Sequence, residues 1–392
     1  MLKTSTLIAK TTTMNRAKTI ILFVILILSM SAKDLKAQNE TVGLSLKDAF
    51  SGKFKIGAAL NLKQIYERDE KATALLVSQF NSITAENCMK AMYLQPKEGE
   101  FNFEDADRFV ALGEKYGLQV IGHTLIWHSQ APNWFFTDQE GKDVSREVLI
   151  QRMQKHIHTV VSRYKGRIKG WDVVNEAIMD NGDWRQSKFY QIIGEDFIEL
   201  AFQFAHEADP QAELYYNDYS MFGKGKRDAV VRMASNLLDK GLKIHGIGMQ
   251  GHLGLDYPSG REFEESILAF SRLGVQVMIT ELDMSVLPMK EPNQGAEVSN
   301  NYAYEKKLNP YIEGLPPEVE QRLANRYTEF FYLFLKHHDK ISRVTLWGLT
   351  DADSWKNNWP IRGRTDYPLL FDRKYEAKPF VKEIIQKAKI DL

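Results

Sequence analysis

Two acidic side chains stand out because of where they fall. In "GWDVVNEA", residues 170–177, an apolar run closes on Asn175 and Glu176. In "QVMITELDM", residues 276–284, a second apolar run carries Glu281 and then Asp283. A carboxylate at the end of a buried strand is costly unless it is paired or put to use. Two of them facing each other can divide one reaction between them. One stays protonated and hands its proton to a leaving oxygen, while the other stays ionised and attacks carbon. Cleavage of a glycosidic bond needs such a pair, about 5–5.5 Å apart where configuration is retained. Their mutual repulsion raises one pKa and so separates the roles. Glu176 suits the acid, kept neutral by burial and by a negative neighbour. Once that neighbour carries a sugar its charge is gone, and Glu176 can act as the base toward water. The plain alternative makes each Glu a structural ion-pair partner, but histidines and amides near both weigh against it.

Something must bring the two together. After residue 40, β-rich runs alternate with amphipathic stretches, with no linker between them. The runs are "KIGAAL" (55–60), "SITAEN" (82–87), "QVIGHTLIWH" (119–128), "IKGWDVVNEA" (168–177), "ELYYNDYS" (213–220), "IHGIGMQGHL" (244–253), "QVMITELDM" (276–284) and "VTLWGLTD" (344–351). Helix candidates at 103–117, 261–274 and 321–338 lie between them, the first stopping on Gly117. Eight strands with intervening helices predict a (β/α)8 TIM barrel, one catalytic domain over residues 41–392, with an open doubly wound sheet as the alternative. Seven of the eight runs end in polar or aromatic residues: Glu86 and Asn87; His123, Trp127 and His128; Asn175 and Glu176; Asn217, Asp218 and Tyr219; Gln250 and His252; Glu281 and Asp283; Trp347. The carboxyl ends of barrel strands floor the active site. Trp127, Tyr219, Trp347 and Trp355 lie at strand ends or in loops, where aromatic planes suit sugar C–H faces, whereas Trp171 reads as buried packing.

The bulk numbers set limits. The chain has 392 residues, 44% of them hydrophobic, and 51 basic side chains balance 51 acidic ones. That balance argues against nucleic acid or an anionic membrane as the main partner. One cysteine, Cys88, excludes an intrachain disulfide and reads as a small buried hydrophobe. Residues 1–40 read as a signal peptide and leader, with a positive flank before an apolar run from Ile20 to Met30. The true start fits Met14 and cleavage falls between Ala32 and Gln38, giving a secreted or periplasmic protein with no stable membrane span. An uncleaved anchor is the alternative. Gly246, Gly248 and Gly251 match G-x-G-x-x-G, but "HLGLDYPSG" follows instead of a helix, so no dinucleotide site is expected. No His or Asp grouping has metal-ligand spacing. The polar stretch 288–317 reads as a substrate-lining excursion or a tolerated insertion.

Taken together, "GHTLIWHSQAP", "WDVVNEA", "NDYS", "GIGMQGHL", "ITELDMS" and "LWGLTDADSW" resemble glycoside hydrolase family ten over residues 45–388. The family is chiefly retaining endo-β-1,4-xylanases on a (β/α)8 barrel. The resemblance implies Glu176 as acid/base and Glu281 as nucleophile. It further implies that His252 bonds the nucleophile, that Asp283 orients His252, and that Asn175 contacts the sugar 2-hydroxyl. Glu86, Asn87, Lys90, His123, Trp127 and Gln130 would line the glycone side, with Gln250, Trp347 and Trp355 around the reacting sugar. Tyr219 would stack on the aglycone side. The two tryptophans would disfavour the hydroxymethyl group that glucose has and xylose lacks. No cofactor or metal, a xylan or xylo-oligosaccharide substrate and a monomer are expected. A cellulase or mannanase on a related barrel, or a silent glycan-binding barrel, are the rival readings.

Overall fold

The computed structural model describes residues 45–289, 297, 299 and 302–390. Its strands are β1 (Lys55–Leu60), β2 (Ser82–Ala85), β3 (Gln119–Trp127), β4 (Gly170–Asn175), β5 (Glu213–Asp218), β6 (Gly246–Met249), β7 (His252–Gly254), β8 (Gln276–Ser285) and β9 (Ile341–Leu346). Every pairing is parallel, from β1 through β6, then β6 to β8, β8 to β9 and β9 back to β1. The sheet therefore closes on itself. β7 also pairs with β8, placing His252 opposite Asp283, so β6 and β7 are two lengths of one stave. That gives eight staves with helices between them, the (β/α)8 barrel read from the sequence.

The break in the sixth stave has a local cause. Gly251 lies at φ +82°, a left-handed turn that frees Gln250 from the strand's alternation. The ladder nevertheless continues through it: Gln250 N–H donates to Asp218 O at 3.0 Å, and Glu281 N–H donates to Gln250 O at 2.7 Å. So the glycine pattern serves the sheet.

Helices fall near their predicted places. Glu104–Tyr116 ends on Gly117 at φ +63°. Gly260–Ser271 starts from a reciprocal cap between Ser259 and Glu262. Pro317–Lys336 starts four residues before the expected 321, because proline is well tolerated in a first helical turn. This helix buries Phe330, Phe331 and Phe334, each fully covered, with ring contacts to Phe263 and Phe50, and each such ring contributes about 1.5–3 kcal/mol of transfer free energy. Trp171 is buried, as expected, with its ring on Gly122, where a Cβ would stand 2.1 Å from it. Cys88 is buried too, in the turn after β2, and burial pushes its thiol up to about 12. The leader at 1–40, with its start and cleavage points, lies outside the described residues, as does part of the 288–317 excursion. No helix among the described residues is long and apolar enough to cross a membrane.

Candidate active site

At the carboxyl end of the barrel, a cavity of about 140 Å³ is lined by Glu86, Asn87, Lys90, His123, Trp127, Gln130, Asn175, Glu176, Gln250, His252, Glu281, Trp347 and Trp355. All were picked from the sequence. They come from β3, β4, β7 and β8, and from the segments that follow β2, β3, β4, β6 and β9. No single stretch could have built it.

Glu176 follows β4 directly and sits at φ +59°, left-handed for a residue with a side chain. Such a conformation costs about 1–3 kcal/mol and persists only when its surroundings fix it. Its carboxyl is buried and accepts from Trp127 Nε1 at 2.8 Å and Gln250 Nε2 at 2.9 Å. Burial raises its pKa to about 7, and the charge of Asp218 adds to that against the opposing hydrogen bond from Gln250. Glu176 therefore holds its proton near neutrality.

Glu281 has the opposite setting. Burial alone would raise its pKa too, but the His252 hydrogen bond, the charge of His123 and the Asn217 amide together hold it below the ordinary value. Asn217 Nδ2 donates to Oε1 at 2.8 Å, and His252 Nε2 stands 3.2 Å from Oε2. The other ring nitrogen of His252 is 3.0 Å from Asp283 Oδ2. The His252 pKa is raised: burial would lower it, but the Asp283 charge and the hydrogen bonds to Asp283 and Glu281 together outweigh that. An imidazolium between two carboxylates keeps both ionised. Amides join the two sides: Asn217 Nδ2 also donates to Asn175 Oδ1 at 3.0 Å, while Gln250 Nε2 lies 3.4 Å from that same oxygen.

The wall beside the pair is polar below and aromatic above. Lys90 Nζ donates to Asn87 Oδ1 at 3.1 Å and Gln130 Oε1 at 2.9 Å, and lies 4.8 Å from the Trp127 ring centre. His123 Nδ1 is 2.9 Å from Asp172 Oδ2, with its ring edge-on to Trp347. Trp355 donates to Asp283 Oδ2 at 2.8 Å and stacks on Trp359 at 4.5 Å. Among the described residues no group of three or more His, Cys, Asp or Glu could hold a metal ion.

Tyr219 is placed elsewhere. It does not line the cavity, and only 4% of it is exposed. Lys226 Nζ sits 3.9 Å from its ring centre, and its hydroxyl accepts from Arg185 at 2.7 Å. In this arrangement it offers little face to a sugar. Conversely, several residues outside the sequence-derived set support the site: Asn217, Asp218 and Asp172 on the strands, Arg185 from a loop and Lys356 from the 3-10 turn Trp355–Asn357. Lys356 is buried 3.8 Å from Asp283 Oδ1 and against both Trp355 and Trp359. Only the strand-end position of Asn217 and Asp218 signalled any of these in advance.

The pattern of glycosyl hydrolase family 10 matches residues 45–387. An endo-1,4-beta-xylanase A of Xylanibacter ruminicola is 52% identical over 350 residues, covering 89% of this chain and 94% of that protein. An endo-1,4-beta-xylanase of Geobacillus stearothermophilus is 42% identical, covering 86% and 96%. Among solved structures, a GH10 endoxylanase retrieved from a sugarcane soil metagenome superposes with a TM-score of 0.84 at 45% identity, covering 88% of this chain and all of that one.

Proposed function

Because the chain belongs to glycosyl hydrolase family 10, we propose that Glu176 is its general acid/base and Glu281 its nucleophile. The chain is an endo-1,4-β-xylanase, a retaining glycoside hydrolase acting on internal β-1,4 bonds of xylan. The observation that carries the division of labour is the opposite pKa shift of two equally buried carboxyls on one cavity.

In the first step a Glu281 oxygen bonds to the anomeric carbon as the glycosidic C–O bond breaks. The Glu176 proton goes to the departing oxygen. Asn217 and His252 hold the Glu281 carboxylate toward the cavity while it is ionised. Glycosylation removes that negative charge, which had helped to raise the pKa of Glu176. The now ionised Glu176 takes a proton from water, whose oxygen bonds to the same carbon and releases Glu281. Two displacements return the original configuration. Asn175, locked by the Asn217 and Gln250 amides, is placed to meet the sugar 2-hydroxyl, and Trp347 and Trp355 close over a ring without a hydroxymethyl arm.

Substrate choice is tested by parallel reducing-sugar assays on xylan, carboxymethyl cellulose and mannan. Release from xylan far above the other two is expected; equal or greater release from cellulose or mannan would overturn the xylan assignment. The apolar run Ile20–Met30 behind its basic flank supports export through an amino-terminal signal. Amino-terminal sequencing of protein recovered outside the cytoplasm should begin between residues 33 and 38, and an intact leader there would support an anchor instead.

A further inference from the structure

Arg185 does not itself line the cavity, yet it binds the residue on which the proposed chemistry depends. Its Nε donates to the backbone carbonyl of Glu176 at 2.8 Å. Its Nη1 meets Glu297 Oε2 at 2.7 Å, and its Nη2 meets the Tyr219 hydroxyl at 2.7 Å. Each of the three guanidinium nitrogens thus has a different partner, on a side chain only 11% exposed. A solvated surface ion pair does not look like this. Arg185 reaches Glu176 by a short excursion: Ile178 bridges Trp184, and Arg185 N–H donates to Ala177 O at 2.8 Å. The chain leaves the catalytic carboxyl and folds back onto it.

What needs holding is the backbone of Glu176. Its left-handed φ turns the carboxyl off the end of β4 and toward the cavity. The peptide groups around it are pinned on both sides. Glu176 N–H extends the sheet to Asn217 O at 2.9 Å, and Ala177 N–H donates to the Tyr216 hydroxyl at 3.1 Å. The carbonyl between them is the group that Arg185 holds. If it is released, the peptide plane can tilt, and the carboxyl swings with it relative to Trp127 and Gln250.

We propose that Arg185 is a positioning residue for the acid/base, clamping the strained backbone of Glu176, and that Tyr219 and Glu297 hold Arg185 in that posture. This rests on the reading of Glu176 as acid/base. It also gives the buried Tyr219 a task, as a strut behind the acid, and ties the excursion after β8 to catalysis through Glu297.

Leaving-group dependence separates positioning from mere stability. A sugar or phenol oxygen needs the acid's proton to depart, whereas dinitrophenolate does not. Partial unfolding scales both substrates equally. The full chain and its Arg185→Lys, Arg185→Met, Tyr219→Phe, Glu297→Gln and Glu176→Ala variants are assayed for kcat/KM on phenyl and 2,4-dinitrophenyl β-xylobiosides, with thermal melts alongside. Arg185→Met should lose about 100-fold on the phenyl substrate and under about tenfold on the dinitrophenyl one, a misplaced proton donor forfeiting much of its about 10²–10⁴-fold share. Arg185→Lys, keeping one donor, should recover part of the loss. Tyr219→Phe and Glu297→Gln should show the same skew at about three- to tenfold. These two also serve if Arg185→Met fails to fold. Equal loss on both substrates throughout the series would overturn the proposal. Skew in Glu176→Ala but in none of the others would remove the clamp alone. Absence of skew in Glu176→Ala would remove the acid/base reading beneath it.

Discussion

The two halves of the catalytic cavity treat the same functional group in opposite ways. On the β4–β5 side, Glu176 is met by an indole N–H and a primary amide, both neutral, with the Asp218 carboxylate behind it. On the β7–β8 side, Glu281 is met by an imidazole braced on Asp283, together with the Asn217 amide. Both carboxyls are buried, so burial pushes both pKa values up. On the first side the Asp218 charge adds to that push; on the second the His252 hydrogen bond, the His123 charge and the Asn217 amide together reverse it. The difference teaches that the fold assigns the roles through neighbours two residues or one strand away, and that the glutamate identity itself assigns nothing.

The hardest way to break the comparison is to remove each carboxylate in turn. Glu281→Gln should cost on the order of 10⁴-fold in kcat on every substrate, because no intermediate can form. Glu176→Ala should cost about 10²–10⁴-fold in kcat/KM on xylan, but much less in kcat/KM on dinitrophenyl xylobioside, whose turnover is then limited by the slowed hydrolysis of the intermediate. Added azide should speed its turnover and yield a β-glycosyl azide, because the small anion can enter the space where the base stood. Product analysis by NMR reads this directly; identical behaviour of the two variants would erase the distinction between the sides.

A subtler change sharpens it. The pH profile of kcat/KM should fall on its basic side near 7, where Glu176 loses its proton, and on its acid side below 4.5, since Glu281 titrates below its ordinary value. Asp218 helps hold the Glu176 pKa up, so Asp218→Asn should move the basic limb down by about one unit, and activity at neutral pH should fall while the acid limb stays. An upward move would mean that Asp218 acts through packing. The smallest expected effect comes from Gly248→Ala on β6. An added Cβ would meet Asn217 Oδ1 at 2.5 Å and Thr280 Cγ2 at 2.7 Å. It should lower stability by about 1–3 kcal/mol, visible in a thermal melt, with a few-fold loss of kcat as Asn217 shifts from Glu281.

The same contrast explains what was legible in the sequence. Strand ends announce themselves, because a barrel strand is apolar until it reaches the mouth; Asn175, Glu176, Glu281 and Trp347 were visible for that reason. Position within the fourth run, short of the mouth, also put Trp171 in the core. It could not place Tyr219, because Ser220 next to it lies at φ +50° and the chain is already leaving the strand. The ring therefore follows the turn onto Lys226. Nor could local pattern reveal Arg185, in a loop, or Lys356, in the 3-10 turn Trp355–Asn357, since the partner of each is known only once the barrel has closed. The glycines of "GIGMQGHL", by contrast, read as letting the sixth run bend or pack closely, and the turn falls at Gly251.

The central claim, that Glu281 attacks carbon while Glu176 handles the proton, is tested most directly by trapping the intermediate. A 2-deoxy-2-fluoro-β-xylobioside with a dinitrophenyl leaving group should inactivate the enzyme and leave one fluoroxylobiosyl group per chain. Peptide mass mapping should place it on Glu281. A label on Glu176 or on any other residue, or steady turnover with an α-configured first product, would contradict the account.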